Sequence, residues 1–301
     1  MTKSTRQAID GVLLLDKHAG LTSNAALQWA KRLFNAKKAG HTGTLDPFAN
    51  GLLPLCFGEA TKFSQYLLEA DKTYRAMLQL GVTTTTGDPE GEVMVTHPVA
   101  VTCEDIGAIL PRFMGGIEQV PPMHSALKHQ GRPLYEYARA GIEIDRAPRR
   151  VQIRSLELID CALPRAVLDI QCSAGTYIRT LAQDIGAALG CGAHLSALTR
   201  FASGGFSLAD AHSLARLEAL DPQQRHALLL PVECLLAHLP AIQLDETSAL
   251  ALRQGRSITR RPLEPGLLRA YGPDFKFLGL AQAGADSVLR PQRLVATNLS
   301  A

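Results

Sequence analysis

The sequence predicts an α+β protein with a mainly antiparallel mixed sheet flanked by helices, followed by a small β-rich C-terminal module of barrel type. Three observations lead there. Strand-like segments at 11–17, 52–57, 74–81, 151–158 and 166–172 are mixed with separated helical patterns. A length of 301 residues with 46% apolar and 20% charged side chains suits a folded chain of about two domains. After the Pro-bearing stretch 230–240, short strand signals and Gly and Pro turns continue to the end. The expected division is therefore 1–240 and 241–301.

Each element has a local cause. Gly11-Val-Leu-Leu-Leu-Asp-Lys17 reads as a buried strand closed by the Ala19-Gly20 turn. Thr22 or Ser23 caps a helix to about residue 34, with Ala26, Leu27, Ala30, Leu33 and Phe34 on one face. Residues 35–50 lose all periodicity and carry Gly40, Gly43 and Pro47. A helix is expected at about 59–69 and a Thr-rich loop at 83–91. Thr102 and Asp105 form a capping-box pattern for a helix that stops at Gly115-Gly116. A further helix at about 176–189 places Ile178, Leu181, Ala182 and Ile185 together.

Several chemistries are disfavoured. Of six cysteines no two lie within four residues of each other, and the nine histidines form no HExxH or HxH pair, so no metal site is expected. GxSxG, GxxxxGK and a strand-following GxGxxG are all missing, which argues against a serine nucleophile and a nucleotide cofactor. The early apolar run 12–15 is too short for a membrane span or export signal. A cytoplasmic, cofactor-free monomer with reduced core thiols is the expectation.

The net charge is only +3, but Arg outnumbers Lys by 22 to 9. Four bases occur between 31 and 38 with no acid, seven against three acids at 128–154, and five Arg against Glu264 at 252–269. Solvated helix faces produce such runs too. Three Arg-rich segments, one interleaved with Tyr135 and Tyr137, favour a nucleic-acid surface.

The most informative segment is Gly40-His-Thr-Gly-Thr-Leu-Asp-Pro-Phe-Ala-Asn-Gly51. It isolates Asp46 in a glycine-bounded loop, with Pro47 fixing the backbone after it and His41 five residues before. Taken locally, Asp46 could serve only the turn. The longer string GHTGTLDPFANGLLPLCFGEATKFSQYL resembles the catalytic segment of the tRNA pseudouridine synthase B (TruB) family. GVLLLDKHAGLTSNAAL, DKTYRAMLQLGVTTTTGDPEG, VPPMHSALKHQGRPLYEYARAG and CSAGTYIRTLAQDIG resemble its other motifs, in order. The resemblance spans about residues 11–240, with a looser likeness beyond to a PUA RNA-binding module.

The resemblance implies a pseudouridine-synthase fold and conversion of uridine 55 in the tRNA T-loop to pseudouridine. It makes Asp46 the essential carboxylate, with its chemical role left open among attack on the sugar, attack on the base and abstraction of a sugar proton. Arg179 is its ion-pair partner, and Tyr74 stacks on the extruded base. His41 lies near the extruded nucleotide and Leu198 walls the pocket. Lys17, Lys62 and Tyr177 support substrate or pocket, and Asp88 orients groups at the rim. An insertion at about 124–150 contacts RNA and is short of helix, so ordering on tRNA is expected there. His18 departs from the family's Pro, which puts the local turn in question. Partners implied are the T-loop and acceptor stem of tRNA. Without long basic extensions, a stand-alone enzyme is expected instead of a guide-RNA-dependent one. A tRNA-folding protein without chemistry would use the same surfaces. A glycoside hydrolase would need a second acid poised beside Asp46.

Overall fold

The structure is a computed structural model describing residues 6–259 and 264–296. Arg260 and Arg261 of the third basic segment lie outside the described residues. The chain opens with β1 (Gly11–Lys17), buried but for Asp16, and α1 (Ser23–Leu33). The Thr22 hydroxyl caps that helix by accepting from the Ala25 N–H at 3.0 Å. The expected turn forms despite His18, and the Gly20 N–H reaches the Pro47 carbonyl at 2.8 Å. β2 (Ala39–His41) and β3 (Asn50–Phe57) then pair around the loop that carries Asp46.

The helix expected at 59–69 is interrupted. A 3-10 turn at Gly58–Lys62 and α2 (Ser64–Leu68) are separated by Phe63, whose backbone leaves the helical region at φ −112° while its ring is wholly buried. Core packing of that ring outweighs continuous helix propensity. β4 (Lys72–Leu80) follows, and the Thr-rich loop contains a small hairpin, β5 (Val82–Thr84) with β6 (Val93–Thr96). The predicted capping box opens α3 (Cys103–Ile109), which gives way to β7 (Gly115–Gln119). The insertion folds as β8 (Lys128–His129), β9 (Arg132–Pro133) and α4 (Leu134–Arg139). β10 (Arg149–Ala162), β11 (Arg165–Cys172), α5 (Ile178–Ala188), β12 (Ala193–Ser203), β13 (Phe206–Ser207) and β14 (His212–Ser213) complete the large sheet. Two short helices, α6 (Leu214–Ala219) and α7 (Pro222–His226), lead out of it.

The spatial order is β14-β1-β3-β12-β4-β11-β10-β7, with β2 on β3 and β13 on β12. Neighbours are antiparallel except β14 with β1 and β3 with β12. The second parallel contact is short, pairing Thr199 with Asn50 and Arg200 with Gly51. It joins the strand leaving the Asp46 loop to a central strand that comes much later in the sequence. The main apolar core lies between the sheet and the helices α1 and α5, and includes Leu13, Leu53, Leu78, Leu168, Leu181 and Ile185.

The C-terminal region forms a separate curled sheet. β15 (Ala241–Gln243), α8 (Glu246–Arg253), β16 (Ile258–Thr259), β17 (Gly266–Tyr271), β18 (Phe277–Ala283) and β19 (Val288–Leu294) give the order β15-β17-β18-β19-β16. Phe277 and Leu280 of this sheet pack in one apolar cluster with Val12, Leu14, Leu52 and Phe63. Among the described residues no helix is long and apolar enough to cross a membrane.

Cys103 and Cys161 are joined by a disulfide, with Cα atoms 5.9 Å apart, which corrects the expectation of six reduced thiols. Fifty-eight residues separate the pair in sequence, and only the packing of α3 on β10 brings it together. Cys56, Cys172 and Cys191 are buried free thiols, as expected of core residues. Burial pushes Cys56 up to about 12 and Cys172 up to about 11, which keeps both protonated and unreactive at neutral pH.

Gly51 sits at φ +99°, and a Cβ there would lie 2.5 Å from the Arg200 carbonyl oxygen. Both the backbone conformation and the strand contact therefore demand glycine. Gly51→Ala is expected to cost about 2–4 kcal/mol, read from denaturant unfolding. A loss below about 0.5 kcal/mol would show that the β3–β12 contact is soft.

Candidate active site

The loop 42–49 between β2 and β3 is held from several sides. The Thr42 N–H and the Leu45 N–H donate to the Pro54 carbonyl and the Ser23 hydroxyl at 3.2 and 2.8 Å. Lys17, fully buried at the end of β1, donates its Nζ to the carbonyls of His18, Leu21 and Pro47 at 3.1, 2.6 and 3.3 Å. Lys17 thus ties the β1 turn to the residue after Asp46. Burial lowers its pKa to about 8, an effect that the Asp46 charge opposes.

Asp46 faces a cavity of about 260 Å³, and 32% of its side-chain surface remains open. Arg179 grips it in a two-point contact, Nε to Oδ2 at 2.9 Å and Nη2 to Oδ1 at 3.3 Å. Arg179 stands in the first turn of α5 and is 4% exposed, not on the outer face of a surface helix. Its remaining donors are committed as well. Nη1 reaches the Thr86 carbonyl at 3.0 Å and the Asp88 carboxylate at 3.4 Å, and Nη2 reaches the His124 carbonyl at 2.6 Å. Asp88 is itself buried and accepts from the Thr86 hydroxyl and from the Glu90 N–H at 3.0 Å. It therefore lies behind Arg179, deeper than the rim position expected for it.

Burial pushes the Asp46 pKa up, the Arg179 charge and hydrogen bond pull it down, and the Asp88 charge pushes it up again. The outcome is a carboxyl above its ordinary range. A raised carboxyl pKa means that ionisation costs folding free energy. The cost is absent below the ordinary carboxylate pKa and fully present above the folded one. Arg179, and to a smaller extent Lys17, oppose that cost by favouring the charged form.

Tyr74, on β4, and Leu198, on β12, line the same cavity, as does Tyr177 at the cap position of α5. Gln119 holds the Tyr177 backbone by a reciprocal pair, Nε2–H to the carbonyl at 3.2 Å and the N–H to Oε1 at 3.0 Å. Of the candidate residues, Asp46, Tyr74, Tyr177, Arg179 and Leu198 meet at the cavity, with Lys17 and Asp88 behind its walls. His41 is half-buried on β2 and does not line it. Lys62 is placed elsewhere: it pairs with Glu59 at 2.6 Å and donates to the Leu294 carbonyl at 3.1 Å. Its expected support of the pocket gives way to a role at the seam with the C-terminal sheet.

Two buried cations were not identified from the sequence. Arg200, 1% exposed, donates Nε to the Leu52 carbonyl at 2.7 Å and Nη2 to the Gly43 carbonyl at 3.2 Å, and hydrogen-bonds Tyr74. It therefore fixes both ends of the Asp46 loop and one wall of the cavity. Lys72, 6% exposed, lines the cavity and caps the end of α2 through the carbonyls of Leu67, Leu68 and Ala70 at 3.2, 2.6 and 2.5 Å. Burial lowers it to about 8. An Arg two residues after Leu198 and a Lys two before Tyr74 were the available signals, each on the same strand face as its neighbour in the cavity. Among the described residues no group of three His, Cys, Asp or Glu is gathered to hold a metal ion.

The charges of the basic segment 128–154 are partly neutralised. Arg132 pairs with Glu136 at 2.8 Å, Arg146 with Glu143 at 3.4 Å, and Arg154 with Asp71 at 3.2 Å. Arg132 and Arg139 also lie over the rings of Tyr137 and Tyr135, 4.8 and 5.4 Å from their centroids. Exposed pairs such as Arg132–Glu136 and Arg154–Asp71 contribute about 0–1 kcal/mol each, so exchanging the carboxylate there for a phosphate costs little.

Three family descriptions match successive parts of the chain. The TruB family pseudouridylate synthase N-terminal domain matches residues 31–178, the tRNA pseudouridylate synthase B C-terminal domain 179–237, and the pseudouridine synthase II TruB C-terminal domain 240–295. The tRNA pseudouridine synthase B of Thiobacillus denitrificans is 69% identical over 98% of this chain and 99% of its own. That of Azoarcus sp. is 56% identical over 98% of each. Among solved structures, a Cbf5–Nop10–Gar1 complex contains a chain with 26% identity and a TM-score of 0.72, covering 97% of this chain and 87% of that one. An H/ACA ribonucleoprotein bound to a substrate RNA shares the fold at 23% identity and a TM-score of 0.71, over 96% of this chain and 86% of that one.

The ordering of charges leads to opposite effects of two substitutions. Arg179→Met is expected to raise the Asp46 pKa further, and Asp88→Asn to lower it, as measured by carbon NMR of aspartate carboxyls across pH. Shifts of the reverse sign would disprove the arrangement described.

Proposed function

Since the chain belongs to the TruB family of tRNA pseudouridine synthases, we propose that it isomerises uridine 55 of the tRNA T-loop, with Asp46 as the reacting carboxylate. The observation that carries this reading is the two-point Arg179–Asp46 pair at the cavity walled by Tyr74 and Leu198. A carboxylate that stays ionised in a confined, partly dry pocket needs a fixed cation, and Arg179 is held by three other oxygen contacts, at Thr86, Asp88 and His124, as well as by Asp46 itself.

The reaction conserves atoms. The C1′–N1 bond breaks, the freed base turns within the cavity, and C1′ bonds to C5; C5 gives up its hydrogen as a proton and N1 gains one. No oxidant, reductant or nucleotide is consumed. The base must first leave the folded RNA, which costs a few kcal/mol. Stacking on Tyr74 returns about 1–3 kcal/mol of that cost. Arg200 holds the Tyr74 hydroxyl, so the platform is already in place before the base arrives.

In this reading residues 1–240 carry the chemistry, the insertion at 124–150 and the module at 241–301 grip the T-loop and acceptor stem, and a monomer in the cytoplasm suffices. Arg139, Arg149 and Arg150 supply guanidinium groups suited to phosphate beside the insertion. Affinity should then fall with salt according to the phosphates contacted locally, not the chain's total charge of +3.

Asp46→Asn tests the reading with tRNA tritiated at uracil C5. Tritium release should fall at least about a thousandfold while tRNA affinity stays within a few-fold of the parent. Undiminished release would remove Asp46 from the chemistry. No release from the unaltered protein would favour a tRNA-folding role without catalysis.

A further inference from the structure

Ser125 opens the insertion and lines the cavity with Asp46, Tyr74, Arg179 and Leu198. It is 5% exposed, and its Oγ makes no hydrogen bond to any described group. Its main chain, by contrast, is fixed on both sides. The preceding His124 carbonyl accepts from Arg179 Nη2 at 2.6 Å, and the Ser125 carbonyl accepts from the Tyr135 N–H at 3.1 Å, in the first turn of α4. The hydroxyl is thus held in the wall of the site with its hydrogen-bonding capacity unused.

An unpartnered buried hydroxyl lowers stability relative to a methyl group of similar size, because its desolvation goes uncompensated. Other polar side chains around this cavity do not share that condition: Lys72, Arg179 and Arg200 are all engaged. From this contrast, and resting on the pyrimidine isomerisation proposed above, we infer that Ser125 Oγ hydrogen-bonds a polar atom of the base held in the cavity. A serine hydroxyl turns freely and both donates and accepts. It can therefore partner N3–H or a carbonyl oxygen of uracil, including after the base has turned. Its anchoring to Arg179 through His124 means that the group that orders Asp46 also sets the position of the hydroxyl. Ser125 is accordingly a substrate-positioning residue contributed by the insertion.

Ser125→Ala separates this role from a structural one by sign. Single-turnover isomerisation should slow by about 10- to 100-fold, while the melting temperature of the free enzyme stays level or rises. A structural serine would lower both. Stem-loops carrying 2-thiouridine, 4-thiouridine or 3-methyluridine at the target position identify the partner atom. One of them should penalise the unaltered enzyme but add no further penalty in Ser125→Ala. A parental rate in Ser125→Ala, a fall in melting temperature that accompanies the loss, or full additivity with all three bases would each overturn the assignment. The unaltered enzyme on tritiated tRNA is the control: its inactivity would refute the isomerase reading, whereas its activity beside an unimpaired Ser125→Ala would refute only this inference.

Discussion

The organisation of the site depends on a single buried guanidinium. Arg179 joins Asp46 from the β2–β3 loop, Thr86 and Asp88 from the β5–β6 loop, and His124 from the start of the insertion. Three segments far apart in sequence are thereby referred to one planar group whose geometry is stiff and whose charge is permanent. Placing an ion in such a position is costly unless its donors are satisfied. Here two carboxylates and two carbonyls do so, while burial first, and the Asp88 charge after it, push the Asp46 pKa upward against the pull of Arg179. Lys17, close enough to favour the Asp46 ion, offsets part of it.

The other buried cations follow a different rule. Lys17, Lys72 and Arg200 are satisfied chiefly by main-chain carbonyls, not by acids. A carbonyl carries no proton to lose, so these contacts persist across the pH range in which carboxylates titrate. Their effect is geometric. Lys17 sets the backbone after Asp46, Arg200 sets Gly43 and Leu52 on either side of the loop, and Lys72 closes α2 beside the cavity. Gly51 completes the design by letting β12 approach β3 closely enough for Arg200 to reach across.

The C-terminal sheet is attached through both apolar and polar contacts. Phe63 packs on Phe277 with ring centroids 5.8 Å apart. Glu59 accepts from the Ala296 N–H at 2.6 Å while its partner Lys62 donates to Leu294. The interruption of the helix expected at 59–69 is part of the same seam, since Phe63 leaves the helix to fill it. A side chain whose motif suggested a pocket role thus serves an interface.

Much of this was present in local sequence. Strand β1, the Thr22 cap, the Thr102–Asp105 capping box and the isolation of Asp46 between glycines all arise from interactions over a few residues, which periodicity and turn chemistry report directly. The motifs also carried Arg179 and Tyr74 to the site by resemblance. Contacts between distant segments were not legible. The disulfide links residues 58 apart, and Arg200 meets Leu52 across 148 residues. The depth of Asp88, the displacement of Lys62 and the unpartnered Ser125 hydroxyl are of the same kind. The sequence by itself determined which elements form and which loop holds the carboxylate. Tertiary structure decided which charges meet, because strand register and helix packing set those distances, and neither is encoded within the few residues over which a local pattern extends.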